Sequence, residues 1–152
     1  MTRPFLAFNF AVEITPDGAS APLVAAAFAE CDGLELSMEA KALREGGAND
    51  RVVRLAGPVS YANLTLKRGL TRDLGLWAWV QDCLDDPAKR AQAEVVIFGA
   101  DGQAEVARFW VHRCLPVKLK APALNAKDGG IAVEELQLAY EWFELAQPGG
   151  AP

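Results

Sequence analysis

Alternation of apolar side chains with small or polar ones most limits what this chain can fold into. Leu6, Phe8, Phe10, Val12 and Ile14 alternate with Ala7, Asn9, Ala11 and Glu13, the period of two that turns one face of a strand to a core and the other to solvent. Pro16, Asp17 and Gly18 end the run with turn chemistry. The same period returns from Leu34 to Lys41, where Leu34, Leu36 and Met38 are set against Glu35, Ser37 and Glu39. Asn63 to Lys67 reads as a short strand closed by Gly69. Glu94 to Phe98 and Glu105 to Val111 read as a pair joined through Asp101-Gly102, a strong hairpin signal. Val117, Leu119 and Ala121 alternate with Lys118 and Lys120, one more strand with a cationic outer face.

Two segments are less one-sided. Leu23 to Cys31 is apolar apart from Glu30, and its shortness and the Asp32-Gly33 turn favour a buried strand over a helix. Near the end, Leu136, Leu138, Tyr140 and Trp142 fit a strand, while Val133, Leu136, Tyr140 and Phe143 fit a helix; strand is the cleaner match.

One segment breaks the period. Between Arg72 and Asp86, Leu76, Trp77, Val80, Cys83 and Leu84 recur at three- and four-residue spacing and Pro87 stops the run, which predicts a helix with Trp77 as its core anchor. The count gives a strand-dominated domain with one embedded helix. At 152 residues the chain has the length of one domain, expected to span 1–146, with 147–152, rich in Gly and Pro, as a disordered tail. Arg44 to Arg51 is polar and holds Gly46, Gly47 and Asn49, and reads as an excursion away from the core, a hairpin or loop.

Composition narrows function by exclusion. The net charge is -5, and Lys and Arg are spread along the chain rather than massed, which disfavours direct binding to a nucleic-acid backbone. No apolar run approaches the roughly 20 residues of a membrane helix, and Arg3-Pro4 followed by alternation does not resemble a signal-peptide core; assembly in the cytoplasm is expected. Cys31, Cys83 and Cys114 lack Cys-x-x-Cys spacing and read as buried free thiols. No metal or cofactor site is indicated: Gly46-Gly47 lacks a following Lys-Ser/Thr, and the carboxylate neighbours Asp85-Asp86 and Glu134-Glu135 diverge on any regular backbone and read as solvated faces. His112 lies two residues from Cys114, on one face of a strand, so a Cys/His dyad is conceivable, but no third group is evident to orient it. An ordinary strand histidine beside a packed cysteine is favoured, and no enzyme is expected. Trp77, Trp79, Trp110 and Trp142 read as packing residues rather than a stacking platform.

Asn63-Leu64-Thr65-Leu66-Lys67-Arg68-Gly69 followed by Leu76-Trp77-Ala78-Trp79 resembles the contractile tail-tube protein family, whose members commonly carry a Leu-Lys-Arg-Gly segment before a Trp-bearing helix. Further matches come in the family's order: Phe10 to Ile14, Phe28 to Glu35, Arg44 to Asn49, Pro116 to Lys118, Leu124 to Lys127 and Val133 to Leu138. The resemblance implies a small antiparallel β-barrel or sandwich with one packed helix, makes the final segment a strand, and marks Lys67, Arg68, Gly69 and Trp77 as structural. It implies a homohexameric ring whose subunit sheets join around a lumen and hide strand edges. It places the inter-ring contact in 39–58, with Arg44, Glu45, Gly46, Gly47, Asn49, Asp50 and Arg51 as contact residues, and head-to-tail stacking then builds a tube. The implied partners are further copies, sheath and spike or baseplate proteins, and a possible lumen cargo. Cys114-Leu115 before Pro116 and the Trp142-Phe143 ending depart from a main tube pattern, so a terminal ring joining spike to tube stands beside the repeated ring. A secreted, cargo-carrying ring similar to the hemolysin-coregulated protein of type VI secretion is the alternative.

Overall fold

The computed structural model describes residues 10–23, 28–44, 52–69, 74–99, 104–122 and 132–146. Nine strands and one helix follow one another within them: β1 (Phe10–Pro16), β2 (Glu30–Asp32), β3 (Leu36–Leu43), β4 (Val53–Tyr61), β5 (Leu64–Gly69), α1 (Gly75–Asp85), β6 (Ala91–Phe98), β7 (Glu105–Lys120), β8 (Val133–Ala139) and β9 (Trp142–Ala146). All pairings are antiparallel, and the fold is mainly β with a single helix among the described residues.

The alternation read in the sequence sets the core. Val12 and Ile14 of β1, Leu64 and Leu66 of β5, Ala91, Ala93 and Val95 of β6, and Leu136 and Leu138 of β8 turn inward together. The sheet runs β1-β6-β7-β8-β5-β2, with β9 also on β7. The long strand β7 organises it. Its first half pairs with β6 on one side and β9 on the other, and its second half pairs with β8.

Val117 to Ala121 therefore does not begin a separate strand: β7 runs on from Glu105 to Lys120. Pro116 cannot donate to a ladder, but it sits where the register with β8 shifts, and such irregularities tolerate proline inside a sheet. Another irregularity lies at Arg113, with φ of 59°, beside a register shift against β6. A non-glycine residue there is uncommon. Arg113 is held by Glu141, its Nε donating to Oε2 at 2.8 Å.

The final segment is two strands rather than one. β8 and β9 follow the same register along β7, Ala139 opposite Leu115 and Trp142 opposite His112, with a break at Tyr140-Glu141 opposite the Arg113 irregularity. Of the described residues in the apolar stretch from Leu23 to Cys31, Glu30 and Cys31 are in a strand, while Leu23 and Phe28 pack on the core without joining one.

Helix α1 closes the core, and its anchor is Trp79, not Trp77. At about 100° per residue Leu76, Trp79 and Cys83 fall on one narrow stripe, and these three are buried. Trp77 and Leu84 lie on the flank, and Leu84 is 70% exposed. Asp86 ends the helix in extended backbone just before Pro87, as the residue before a proline prefers.

Gly33 is required where it stands. Its φ is +111°, and a Cβ would lie 2.0 Å from the Asn63 carbonyl oxygen, while its own carbonyl accepts the Tyr140 hydroxyl at 3.0 Å. Gly33→Ala should cost at least about 2 kcal/mol of unfolding free energy, from the φ penalty plus the clash with backbone. Urea unfolding followed by tryptophan fluorescence checks this; an unchanged midpoint would contradict it.

The first-strand positions Leu6 and Phe8, the Asp101-Gly102 turn, the Leu124 to Lys127 match and the 147–152 tail lie outside the described residues.

Candidate functional site

Two features stand apart from ordinary core packing. The first is a polar clamp inside the domain. Arg68 lies in phase with Leu64 and Leu66 on β5, and Glu134 in phase with Leu136 and Leu138 on β8, so the strand period turns both charged side chains inward. The register sets Arg68 directly opposite Glu134. Their side chains are each only 2% exposed, and Arg68 Nε donates to Glu134 Oε1. Trp77 of α1 donates its indole N–H to the other oxygen, Oε2, at 2.9 Å. The guanidinium also lies 5.8 Å from the centre of the Phe28 ring. One carboxylate thus ties β8, β5 and the flank of α1 together.

Glu134 is therefore not part of a solvated face, contrary to the reading of Glu134-Glu135 from the sequence. Its neighbour Glu135 faces Lys118 at 3.6 Å, and Asp85 and Asp86 are exposed as expected. The signal for Glu134 was its phase with Leu136 and Leu138. Of the other motif residues, Lys67 reaches Glu30 at 3.7 Å across the β2–β5 pair, a surface contact of little energetic weight. Gly69 ends β5 opposite Val133.

The second feature is the β3–β4 hairpin, a two-stranded sheet of its own. Every residue of β3 is exposed, so its alternation does not mark a core-facing strand. Its base is held by Tyr61, whose ring lies 5.7 Å from Tyr140 and 5.5 Å from Phe143. Beyond that base the ribbon carries Leu36, Met38, Leu43, Leu55 and Val59, each between 43% and 54% exposed. A register shift between Met38 and Ala40 coincides with Gly57, where a Cβ would meet the Glu39 carbonyl oxygen at 2.3 Å. Leu36 and Met38 face one way near the base and Leu43 the other way near the tip, as period two dictates. Arg44 is exposed at the end of β3; Glu45, Gly46, Gly47, Asn49, Asp50 and Arg51 lie outside the described residues.

The conceivable dyad is not assembled. The His112 ring stacks on Trp142 at 4.5 Å and its Nε2 is 2.9 Å from Glu144 Oε1. The Cys114 thiol is in the core, donating to the Val111 carbonyl at 3.5 Å. The positive φ of Arg113 breaks the strand period that would have put the two on one face. Burial pushes the Cys114 thiol up to about 12 and that of Cys31 up to about 11, so neither supplies a thiolate near neutral pH. Cys83 and Cys114 are buried free thiols and Cys31 is half-buried. Among the described residues no group of three or more His, Cys, Asp or Glu could hold a metal ion, and no helix is long and apolar enough to cross a membrane.

Among the described residues, a helix is clamped onto an antiparallel sheet, β1, β2 and β9 each pair on one side, and the β3–β4 hairpin stands as a separate two-stranded sheet. The chain belongs to the T4-like virus tail tube protein gp19 family, whose sequence profile matches residues 6–144. A search of curated protein sequences finds no match. Among solved structures, a chain of the anti-feeding prophage (AFP) baseplate is 24% identical, with a TM-score of 0.84 over 96% of this chain and 97% of that one. A chain of the sheath-tube complex of an extracellular contractile injection system, PVC, in its extended state is 19% identical, with a TM-score of 0.80 over 94% and 91%. The Hcp1 protein of E. coli EAEC 042 is 14% identical, with a TM-score of 0.55 over 91% of each chain. The chain is a tail-tube protein of a phage tail or injection particle.

Proposed function

We propose that this chain is a ring-forming subunit of the inner tube, assembling as a homohexamer that stacks through the segment 39–58. The observation that carries the reading is the β3–β4 hairpin, whose first strand is exposed along its whole length. A lone two-stranded ribbon is marginal in water, and five exposed apolar side chains on it gain most when another chain covers them. Apolar residues on both faces suit a ribbon inserted between neighbours rather than laid on one surface. The role is structural and non-catalytic, consistent with core thiols held protonated and a histidine engaged by Trp142 and Glu144.

The chain is taken as one tail-tube domain over 1–146, assembled in the cytoplasm before it enters the particle. Sheath, spike and baseplate proteins are its expected partners, as the AFP and PVC assemblies with chains of this fold suggest. Ring and tube are separable outcomes. Negative-stain microscopy of the purified chain should show annular particles, with stacks at higher concentration. A monomer at all concentrations would sink the proposal, while rings that never stack would favour a terminal ring or the cargo-carrying ring.

A further inference from the structure

Among the described residues β9 is bound to the sheet along one side, through β7. It is five residues long, and Trp142, Glu144 and Leu145 are exposed. His112 steadies its outer face, stacking on Trp142 and meeting Glu144. On the inner face Phe143 packs against the core. Three rings meet Phe143: Phe109 of β7 at 6.1 Å, Tyr140 at 5.9 Å, and Tyr61, the last residue of β4, at 5.5 Å. One wall of the site that anchors β9 is thus supplied by the hairpin.

The dependence also runs the other way. Among the described residues the hairpin shares no ladder with the main sheet, and a two-stranded ribbon alone is marginal. Its first leg enters past Gly33, whose carbonyl accepts both the Tyr140 hydroxyl at 3.0 Å and the Glu35 N–H at 2.8 Å. Its second leg leaves through Tyr61, packed on Tyr140 and Phe143, and the Ala62 N–H returns to the Glu35 carbonyl at 3.1 Å. Both legs therefore close on Tyr140, in the break between β8 and β9. The other member of that break, Glu141, donates its N–H to the His112 carbonyl at 3.0 Å and accepts from Arg113. Arg113 holds a positive φ, a backbone setting that persists where neighbours enforce it.

We infer that the β3–β4 hairpin and β9 form one cooperative unit joined at the Tyr140-Glu141 break, so that covering the hairpin also fixes the β9 edge. Opening either element strips the other of ring contacts, which are worth more than their buried area alone, while the packing of β1, β5, β6 and β8 around Ile14, Leu66, Ala93 and Leu136 stays in place. The two then open together, at a cost below that of global unfolding. Coupling of this kind is reciprocal: whatever stabilises one element stabilises the other by the same factor. The use of the unit rests on the stacking reading above. A neighbouring copy that covers Leu36, Met38 and Val59 also firms a strand exposing Leu145 and Trp142, at 63% and 42%, so a docked hairpin presents a firmer β9 edge.

Amide hydrogen exchange on the dilute full chain tests the unit without a ring, so a failure to stack counts against the stacking reading and not against the coupling. Across low urea the amides of β3–β4 and of β9 should fall on one opening curve, below that of β6. Gly57→Ala perturbs the hairpin far along the ribbon, because a Cβ there meets the Glu39 carbonyl oxygen at 2.3 Å. It should speed exchange in the hairpin by about tenfold and in β9 by the same factor. Ile14→Val, in the fully buried core of β1, should speed β6 several-fold and leave the hairpin and β9 at the parent rate, since the core stays packed when the unit opens. Tyr61→Ala removes the shared ring and should uncouple the two, so that adding Gly57→Ala then speeds the hairpin alone. Separate curves in the parent, a Gly57→Ala effect confined to the hairpin, acceleration of β9 by Ile14→Val, or coupling that survives Tyr61→Ala would overturn the inference.

Discussion

Arg68→Ala lowers the unfolding free energy by roughly 3–5 kcal/mol, because it leaves the Glu134 carboxyl buried without its partner. Both side chains are almost fully enclosed, so water cannot replace the lost guanidinium without opening the β5–β8 seam. For a chain of this size that corresponds to a fall of roughly 6–20 °C in Tm. Removing both charges is a different experiment: Arg68→Met with Glu134→Leu should recover most of the loss, since a buried pair is often replaceable by apolar residues of similar volume. Trp77→Phe removes the hydrogen bond to Glu134 Oε2 along with part of the ring, and should cost at least about 1–2 kcal/mol. Denaturant unfolding at fixed protein concentration separates the three. A single Arg68→Ala within 1 kcal/mol of the parent, or a double variant no better than the single, would show that the clamp does not hold α1 as described.

Deleting Arg44 to Asp50 should abolish stacking while leaving the domain folded. Arg51 and Val52 would then link Leu43 to Val53, the last residues paired across β3 and β4, which is the length of a two-residue hairpin turn. Nothing in the core cluster is touched, so the change in unfolding free energy should stay within about 1 kcal/mol, and loop shortening itself costs little. The assembly effect is all-or-none by contrast, because one lost interface per subunit is repeated around the whole ring. Tubes of normal length from the deleted chain would remove 44–50 from the stacking contact.

The clamp shows where sequence reasoning stops. Alternation alone located β1 and β5 and fixed their inward faces, because each strand's period is a local property. The same period put Glu134 in phase with Leu136 and Leu138 and Arg68 in phase with Leu64 and Leu66, yet a carboxylate in phase with leucines is as easily read as an exposed strand end. Only the pairing of β5 with β8, 66 residues apart in sequence, makes the two charges neighbours. Trp77 and Trp79 illustrate the limit of helical spacing: both fit a three-and-four pattern with Leu76, Val80 or Cys83, and the choice between them depends on the tilt of α1 over the sheet. The resemblance to tail-tube proteins marked Arg68 and Trp77 together but did not name their shared acceptor.

The hairpin misled in the opposite direction. Leu34 to Lys41 alternates as a half-buried strand does, but none of the described residues buries β3; the proposed stacking contact would. Alternation records that an apolar face is covered in the working state and does not say by which molecule. The continuous β7 was obscured by Pro116, which ends most strands and here sits at a shift in register.

A cryo-EM map of the assembled particle tests the central claim most directly. The expected result is six copies per ring, with Leu36, Met38, Leu43, Leu55 and Val59 of each β3–β4 hairpin covered by neighbouring copies. A closed particle in which both faces of that hairpin remain in solvent would contradict it.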